Sequence, residues 1–216
     1  ARRIAHEIKN PLTPIQLSAQ RLRRRYLDRF STEDSVFDDC TQMISHQVDE
    51  LKNLVNEFSN FARMPATRPA PNNLNDIINE CLILYEEGHK NIDFKRAFDD
   101  QLPTSNLDRE QIKRVIINLL ENAVAALGDN GEISVESIYN PELQIITLTI
   151  ADNGCGIRDA DKPRLFEPYF STKKTGTGLG LAIVSTIISD HNGYIRVRDN
   201  NPKGARFIIE LPAAAG

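Results

Sequence analysis

The chain has 216 residues, of which 40% are apolar and 26% charged, and its net charge is −4. This composition is ordinary for a globular protein that buries one or two cores. The acidic excess is the opposite of the basic footprint of nucleic-acid binders, so we expect no nucleic-acid partner. Its three cysteines are far apart, and no run of about 18 apolar residues occurs. We therefore expect no disulfide framework, no zinc site and no membrane contact by this chain.

Two helical seams occupy the first 63 residues, with apolar residues recurring at steps of three and four. The first comprises Ile4, Ile8, Leu12, Ile15, Ala19, Leu22 and Tyr26, and the second comprises Ile44, Val48, Leu51, Val55, Phe58 and Ala62. Between them Ser31 or Thr32 is placed to cap the second helix. We expect an α-helical hairpin that is half of a dimeric four-helix bundle, because two helices alone cannot bury such seams.

The ends of the expected domains follow from the seams and from a run of prolines. The chain opens inside the first seam with neither a cap nor a Met, so we expect it to be truncated within this helix. Pro65, Pro69 and Pro71 prevent helix and favour an extended connector. The predicted organisation is a helical hairpin over 1–64, a linker over 65–73 and a second domain over 74–216.

The second domain alternates helical and strand patterns. Helices are predicted over 74–85, from an Asp108 N-cap to Gly128, and over 179–189. Strands are predicted as two hairpins, one over 132–138 and 143–151 and the other over 195–198 and 205–211. Because hairpins predominate, we expect an α/β sandwich with a largely antiparallel or mixed sheet.

His6 and Glu7 form the first candidate site. A histidine beside a carboxylate can be held in one tautomer and deprotonated as it attacks, which is what a phosphoryl acceptor needs. Asn10 follows one helical turn later on the same face, where its amide can orient a water or a phosphoryl oxygen. A histidine beside a glutamate on a helix is more often part of the solvated surface. Pro11 inside the seam reduces the stability of the helix, and a residue with that cost favours the interpretation as a functional site. The other histidines, His46, His89 and His191, lack companions at ligand spacing and are expected to be structural.

Asn118 and Asn122 lie four residues apart in a helix that otherwise supplies apolar residues to the core. Their amides point the same way. Amide oxygens suit a hard cation such as Mg²⁺ that nucleotide phosphates carry. The alternative is the polar edge of an amphipathic helix, and these two residues alone do not decide between the two.

Asp152, Gly154 and Gly156 follow an apolar strand. A carboxylate there can accept a hydrogen bond from an exocyclic amine, while glycines let the backbone approach a flat base. The pattern therefore fits adenine. A plain turn at the end of a strand is the alternative.

A second glycine cluster leads into the last predicted helix. Backbone N–H groups and the helix N-terminus would present positive potential to phosphates there. The candidate phosphate-binding residues are Gly176, Thr177, Gly178, Leu179 and Gly180. No strand–helix–strand unit surrounds the cluster, so a Rossmann site is not expected.

The polar segment 158–175 precedes that cluster, and its length without regular structure indicates a lid. We expect its aromatic residues Phe166, Tyr169 and Phe170 to anchor it. Either Lys173 or Lys174 is expected to reach a γ-phosphate. An ordinary loop with a solvated pair of lysines is the alternative.

In this order, the motifs resemble the transmitter core of bacterial two-component sensor histidine kinases over essentially the whole chain. Residues 6–12 look like the H-box, residues 118–122 like the N-box and residues 152–156 like the G1 box. Residues 166–170 look like the F-box, residues 176–180 like the G2 box and residues 204–207 like a last, weaker glycine motif. Among subfamilies, residues 6–16 look most like the NtrY-type nitrogen-regulation sensors.

The resemblance implies a Bergerat-type ATP-binding fold, with ATP and Mg²⁺ as cofactors. It implies phosphoryl transfer to His6 and then to an aspartate on the receiver domain of a response regulator, with phosphatase activity as the reverse function. The family pattern assigns Mg²⁺ to Asn122, the adenine amine to Asp152, deprotonation of His6 to Glu7, and the phosphatase role to Asn10. It also implies a homodimeric, cytoplasmic core within a membrane-anchored parent.

Two other functions are compatible with parts of the pattern. Gyrase-like, MutL-like and Hsp90-like ATPases share the ATP fold. They place a glutamate base where this chain has Asn118, so poor activation of water is expected here. The second is a pseudo-kinase adaptor that docks a regulator without catalysis, and the presence of every motif residue argues against it.

Overall fold

The structure is a computed structural model that describes residues 2–26, 35–61, 66–173 and 177–213. Two compact units are present, residues 1–65 with 171–179, and residues 66–170 with 180–216. The finer division into a hairpin, a linker over 65–73 and an ATP domain stays a prediction. Among the described helices, none is long and apolar enough to cross a membrane.

Two long helices make up most of the first unit, α1 (Arg2–Tyr26) and α2 (Ser35–Phe61). Arg23, near the end of α1, pairs with Asp38, near the start of α2, at 2.5 Å between Nε and Oδ1. Gln16, in the middle of α1, donates to Asp49 further along α2 at 2.8 Å. These contacts confirm the antiparallel helical hairpin. The predicted cap at Ser31 or Thr32 lies outside the described residues.

The apolar seams of α1 and α2 are divided into buried and exposed members. The buried members recur every seven residues and comprise Leu12 and Ala19 on α1 and Val48 and Val55 on α2. The other seam members whose side chains are described, Ile8, Ile15 and Leu22 on α1 and Ile44 and Leu51 on α2, are between 42% and 47% exposed. Among the described side chains, one hairpin therefore buries only part of each seam, and the other apolar members remain on its surface.

The second unit contains three helices with clear ends, α3 (Leu74–Gly88), α4 (Arg109–Leu127) and α5 (Gly180–Asp190). Asp108 caps α4 by accepting from the Gln111 N–H at 3.1 Å, and Gly128 ends it with φ of +75°. Both features were predicted and are confirmed, because the capping carboxylate and the C-terminal glycine act locally. The Asn73 side chain caps α3 by accepting from the Asn75 N–H.

The strands of this unit form two sheets. A small antiparallel sheet pairs β1 (Ala70–Asn72) with β3 (Ser105–Leu107). The larger sheet comprises β2 (Ile92–Phe98), β4 (Gly131–Asn140), β5 (Ile145–Asp152), β6 (Tyr194–Asp199) and β7 (Ala205–Pro212). Its order is β2-β4-β5-β7-β6, with β2–β4 parallel and the other three pairs antiparallel. The expected mixed sheet is confirmed.

The core lies between this sheet and α4. Buried residues alternate along the central strands, with Ile133 and Val135 on β4 and Ile146, Leu148 and Ile150 on β5. Helix α4 contacts both strands and also α3 and α5. Helix α4 is therefore central in the helical layer, and its residues lie close to β4 and β5.

Tyr85 on α3 is half-buried, and its surroundings change its acidity. Desolvation, reinforced by the nearby Glu121 carboxylate, raises the pKa of Tyr85 from 10.0 to about 12. The pKa of Tyr85 is higher in the folded chain than in the unfolded chain. The contribution of neutral Tyr85 to the free energy of unfolding is therefore complete below pH 10 and is lost as the pH rises towards 12. In a spectrophotometric titration we expect one of the five tyrosines to ionise late, and Tyr85→Phe to remove this step. A late step that persists in Tyr85→Phe would refute the assignment.

Candidate functional site

Asp152 ends β5 and is the one buried carboxylate among the described side chains, at 3% exposure. Its Oδ1 accepts from the Gly154 N–H at 2.8 Å and, more weakly, from the Ala205 N–H at 3.4 Å. A buried carboxylate is costly unless its oxygens are hydrogen-bonded. These bonds hold the carboxylate in one orientation at the end of the strand, where the sequence predicts the contact to adenine.

The backbone of Asp152 is crossed closely by the β6–β7 turn. Gly204 has φ of +109°, and a β-carbon added there would overlap the carbonyl oxygen of Asp152. Asn200 donates its side-chain N–H to the same carbonyl oxygen at 2.9 Å. The turn therefore holds the end of β5 in place, and only glycine fits at the crossing. Gly204 lies in the weak glycine motif predicted from the sequence. Asn200 was not predicted to contribute, because a contact between residues so far apart in the chain leaves no local signal.

Gly154 and Gly156 are required for two different physical reasons. A β-carbon on Gly154 would lie 2.5 Å from the Ala126 carbonyl oxygen, which also accepts from the Cys155 N–H at 3.1 Å. Gly156 has φ of +73°, which L-residues rarely adopt. The loop after β5 is thus hydrogen-bonded to the last turn of α4, one turn beyond Asn122.

Asn118 on α4 lies beside the first residue of α5. Its side-chain nitrogen donates to the Arg114 carbonyl at 2.7 Å. A β-carbon on Gly180 would lie 2.8 Å from its Oδ1, so this oxygen faces the N-terminus of α5. Asn122, one turn further along α4, is also half-buried. Helix N-termini carry positive potential, so the arrangement suits an anion held close to α4.

The described residues of this unit offer few protein ligands for Mg²⁺. Among the described residues, no group of three His, Cys, Asp or Glu side chains is arranged to hold a metal ion. A hard cation here would take most of its ligands from phosphate oxygens and water, with an amide oxygen as a protein ligand. The half-buried Asn122 amide supplies a donor of that kind.

The segment before the second glycine cluster is more ordered than its sequence suggests. It contains a 3₁₀ turn over Lys162–Arg164. Arg164 lies over the Phe170 ring at 4.5 Å and donates to Glu167 at 3.1 Å. Leu165 is buried, whereas Tyr169 is 56% exposed with φ of +68°. Leu165 and the Arg164–Phe170 contact hold this segment, a role that the sequence assigned to the aromatic residues alone.

The predicted phosphate-binding residues before α5 are described only in part. Lys174 and Gly176 lie outside the described residues. Lys173 is exposed. The Leu179 N–H donates to Thr177 Oγ1 at 3.4 Å, and Gly178 has φ of +71°. These two features form a local turn that leads into α5 at Gly180.

Helix α1 carries the predicted phosphoryl acceptor. It runs without interruption through Pro11 and Pro14, so His6 and Asn10 lie one turn apart on the same helical face. The side chains of His6 and Glu7 lie outside those described, and Asn10 is exposed. Pro11 has no N–H, so the carbonyl of Glu7, the residue directly after His6, lacks its helical donor.

Two parts of the chain match two known protein families. Residues 107–215 match the family described as histidine kinase-, DNA gyrase B- and HSP90-like ATPase. Residues 1–67 match the His Kinase A phospho-acceptor domain. The chain belongs to the sensor histidine kinase family. The two matches cover the two halves in which the sequence predicted the acceptor histidine and the nucleotide site.

Individual histidine kinases are similar along the whole chain. The nitrogen regulation protein NtrY of Azorhizobium caulinodans is 39% identical over all of this chain and 28% of its own length. Histidine kinase ThkA, solved in complex with the response regulator TrrA, is 32% identical with a TM-score of 0.71, over 98% of this chain and 60% of ThkA. Full-length ShkA, solved with AMPPNP, is 25% identical with a TM-score of 0.72, over 99% of this chain and 45% of ShkA.

These similarities confirm the resemblance of this histidine kinase to NtrY-type sensors and its helical and α/β fold. The chain spans 28% to 57% of the first three curated relatives that it matches. The roles of individual site residues stay predictions.

Proposed function

We propose that the chain is a catalytic core that transfers the γ-phosphoryl group of ATP to His6 and then to an aspartate on a response-regulator receiver domain. The observation that carries this proposal is the buried Asp152 carboxylate, held at the end of β5 by the Gly154 N–H and crossed by Gly204. ShkA was solved with an ATP analogue and ThkA with a response regulator. The ShkA complex supports ATP as the donor for this chain, and the ThkA complex supports a response regulator as its partner.

The proposed site binds ATP through three features. Asp152 accepts the adenine amine. Gly154 and Gly156 let the loop backbone approach the base. The N-terminus of α5, beside Asn118, draws the phosphates. Phosphoryl transfer asks mainly for positioning and charge neutralisation, so this small set of groups is chemically sufficient.

Asn122 is the proposed Mg²⁺ ligand, and its loss should act through the metal. We expect Asn122→Ala to raise the Mg²⁺ concentration needed for half-maximal activity by about tenfold or more, because one of few protein ligands is removed. Magnesium titrations of autophosphorylation at saturating ATP measure this. Asn106→Ala, at an exposed position on β3, is the matched control and should leave the titration unchanged. An unchanged magnesium requirement in Asn122→Ala would remove the assignment.

The hairpin is proposed to dimerise as half of a four-helix bundle. The exposed seam members Ile8, Ile15, Leu22, Ile44 and Leu51 form a stripe that a second copy can cover. Contiguous apolar stripes of this kind mark interaction surfaces. A cytoplasmic location, a membrane-anchored parent and regulator phosphatase activity through Asn10 complete the proposal, on the family pattern alone.

Incubation with γ-labelled ATP and Mg²⁺ tests the proposal directly. We expect label that is acid-labile and base-stable, as for a phosphorylated histidine, and we expect His6→Gln to abolish it. His46→Gln, at an exposed position on α2, is the matched control and should label normally. The assay should include a version that extends upstream of Ala1 into parent sequence. Label that persists in His6→Gln would refute the assignment of His6 as the phosphoryl acceptor.

The same assay separates the kinase from the pseudo-kinase adaptor. An adaptor would bind a receiver domain and would show no label in any version of the chain. Labelled protein that passes its phosphoryl group to a receiver domain excludes the adaptor.

A further inference from the structure

Residues 67–72 belong to the predicted linker over 65–73, and the first two of them are hydrogen-bonded to the start of α4. The Arg68 N–H donates to Asp108 Oδ2 at 2.8 Å, and the Thr67 hydroxyl donates to Gln111 Oε1 at 3.2 Å. Immediately afterwards β1 pairs with β3, with Ala70 opposite Leu107. The side chains of Asp108 and Gln111, at the start of α4, therefore accept hydrogen bonds from the chain just before β1 begins.

Asp108 performs two tasks with its two carboxylate oxygens. Oδ1 accepts from the Gln111 N–H at 3.1 Å and caps α4, while Oδ2 accepts from the Arg68 N–H. Desolvation would raise the pKa of Asp108, but the N–H donors of Arg68 and Gln111 outweigh it, and the pKa lies below its ordinary value. The helix that it caps carries Asn118 and Asn122, so one carboxylate joins the linker to the helix of the nucleotide site.

His191 contacts the backbone of Asp108. This side chain is 5% exposed, and its Nε2 accepts from the Asp108 N–H at 2.9 Å. Since Nε2 accepts, Nδ1 carries the proton and donates to the Ile187 carbonyl at 2.8 Å. His191 directly follows α5, whose first residue, Gly180, lies beside Asn118. The ends of both helices of the proposed nucleotide site thus meet at Asp108.

We propose that Asp108 is a positioning residue that clamps the linker through the Arg68 N–H, and that this clamp sets how efficiently the nucleotide-binding unit reaches His6. We use the term linker clamp for Thr67, Arg68, Asp108, Gln111 and His191. The inference rests on the proposed function. With the clamp closed, residues 62–66 connect α2 to it, and opening it lengthens this connection to residues 62–69.

The physical effect follows from chain length. The effective concentration of a tethered group falls as about the −3/2 power of the tether length. Growth of the connection from residues 62–66 to residues 62–69 therefore lowers the encounter rate with His6 by about twofold or more. Nucleotide affinity should not change, because no clamp residue lies among the proposed ATP-binding residues. The expected signature is a lower kcat for autophosphorylation at an unchanged KM for ATP.

Three variants test whether the backbone hydrogen bond matters. Asp108→Asn keeps an oxygen to cap α4 but replaces the acceptor that faces Arg68. Arg68→Pro removes the donating N–H from the other side. Arg68→Ala keeps the N–H and is the matched control. We expect kcat to fall about twofold or more in Asp108→Asn and Arg68→Pro, with the affinity for AMPPNP within twofold of the parent, and we expect Arg68→Ala to be silent.

Amide hydrogen exchange at Arg68 provides a readout that does not depend on activity. The Arg68 amide should be protected in the parent and should exchange at least about tenfold faster in Asp108→Asn. Faster exchange with unchanged kcat would overturn the proposal, and so would an Arg68→Ala variant as slow as Arg68→Pro. If the parent chain fails to label His6, the proposed function is refuted, while protection of the Arg68 amide still tests whether the clamp exists.

Discussion

Replacing Asp152 by asparagine is expected to weaken ATP binding by about 100-fold, on the order of 2–3 kcal/mol. The substitution is nearly isosteric and keeps an oxygen for the Gly154 N–H. It removes the charge and one acceptor where the adenine amine is proposed to donate. Titration calorimetry with AMPPNP measures the affinity. Inosine triphosphate lacks the 6-amine, so the substitution should reduce its affinity much less than it reduces the affinity for ATP.

Asp99 provides the matched control for this substitution. It follows strand β2, and its carboxylate accepts from the Gln101 and Tyr139 N–H groups, both at 2.9 Å. These donors, Tyr139 first, lower the pKa of Asp99. Asp99→Asn should cost stability and leave nucleotide affinity unchanged. Equal losses of ATP and inosine triphosphate in Asp152→Asn would contradict the adenine assignment, because they would indicate general damage to the fold.

Gly204→Ala is expected to destabilise the second unit by about 3 kcal/mol or more. The added β-carbon would overlap the Asp152 carbonyl oxygen, which is backbone and has little freedom to move, and alanine is also strained at φ of +109°. Urea unfolding measures the loss of stability. The same variant should weaken ATP binding, since the β6–β7 turn holds the end of β5.

Gly88→Ala is the matched glycine substitution. Gly88 ends α3, has no atom within 4 Å of an added β-carbon, and does not have a positive φ. Its change in unfolding free energy should lie within about 1 kcal/mol. If the Gly204→Ala variant were as stable as Gly88→Ala, the β6–β7 turn would be able to move at little cost in free energy. It would then not be a support for Asp152.

Local signals made α4 predictable from the sequence. A capping Asp108, an apolar stripe and a closing Gly128 all act within a few residues. Strand β2 was not predicted. Its sequence mixes Asp93, Lys95 and Arg96 with apolar residues, because it is an edge strand. Among the described strands it pairs only with β4, which is distant in the chain. Strands β1 and β3, with three residues each, are too short to show a period.

The seams of the hairpin show what periodicity can and cannot predict. Spacing correctly indicated two antiparallel apolar helices. It did not separate Leu12 and Ala19, which face α2, from Ile8 and Ile15, which remain exposed. Both sets share one helical period, and only the position of the neighbouring helix distinguishes them.

The candidate site also contains residues that the local sequence predicts and contacts that only the fold creates. Asp152 and Gly154 could be identified because a carboxylate followed by glycines at a strand end is a local pattern. The crossing of Gly204 over Asp152 and the approach of Gly180 to Asn118 depend on sheet register and helix packing. Such contacts between distant residues become visible only in the folded chain.

The central claim is that His6 receives the phosphoryl group of ATP. The chain has four histidines, so peptide mapping by mass spectrometry, after incubation with ATP and Mg²⁺ and with acid avoided throughout, distinguishes them. We expect the phosphoryl group on the peptide that contains His6, and none on those containing His46, His89 or His191. Phosphorylation at another residue with His6 unmodified would contradict the account.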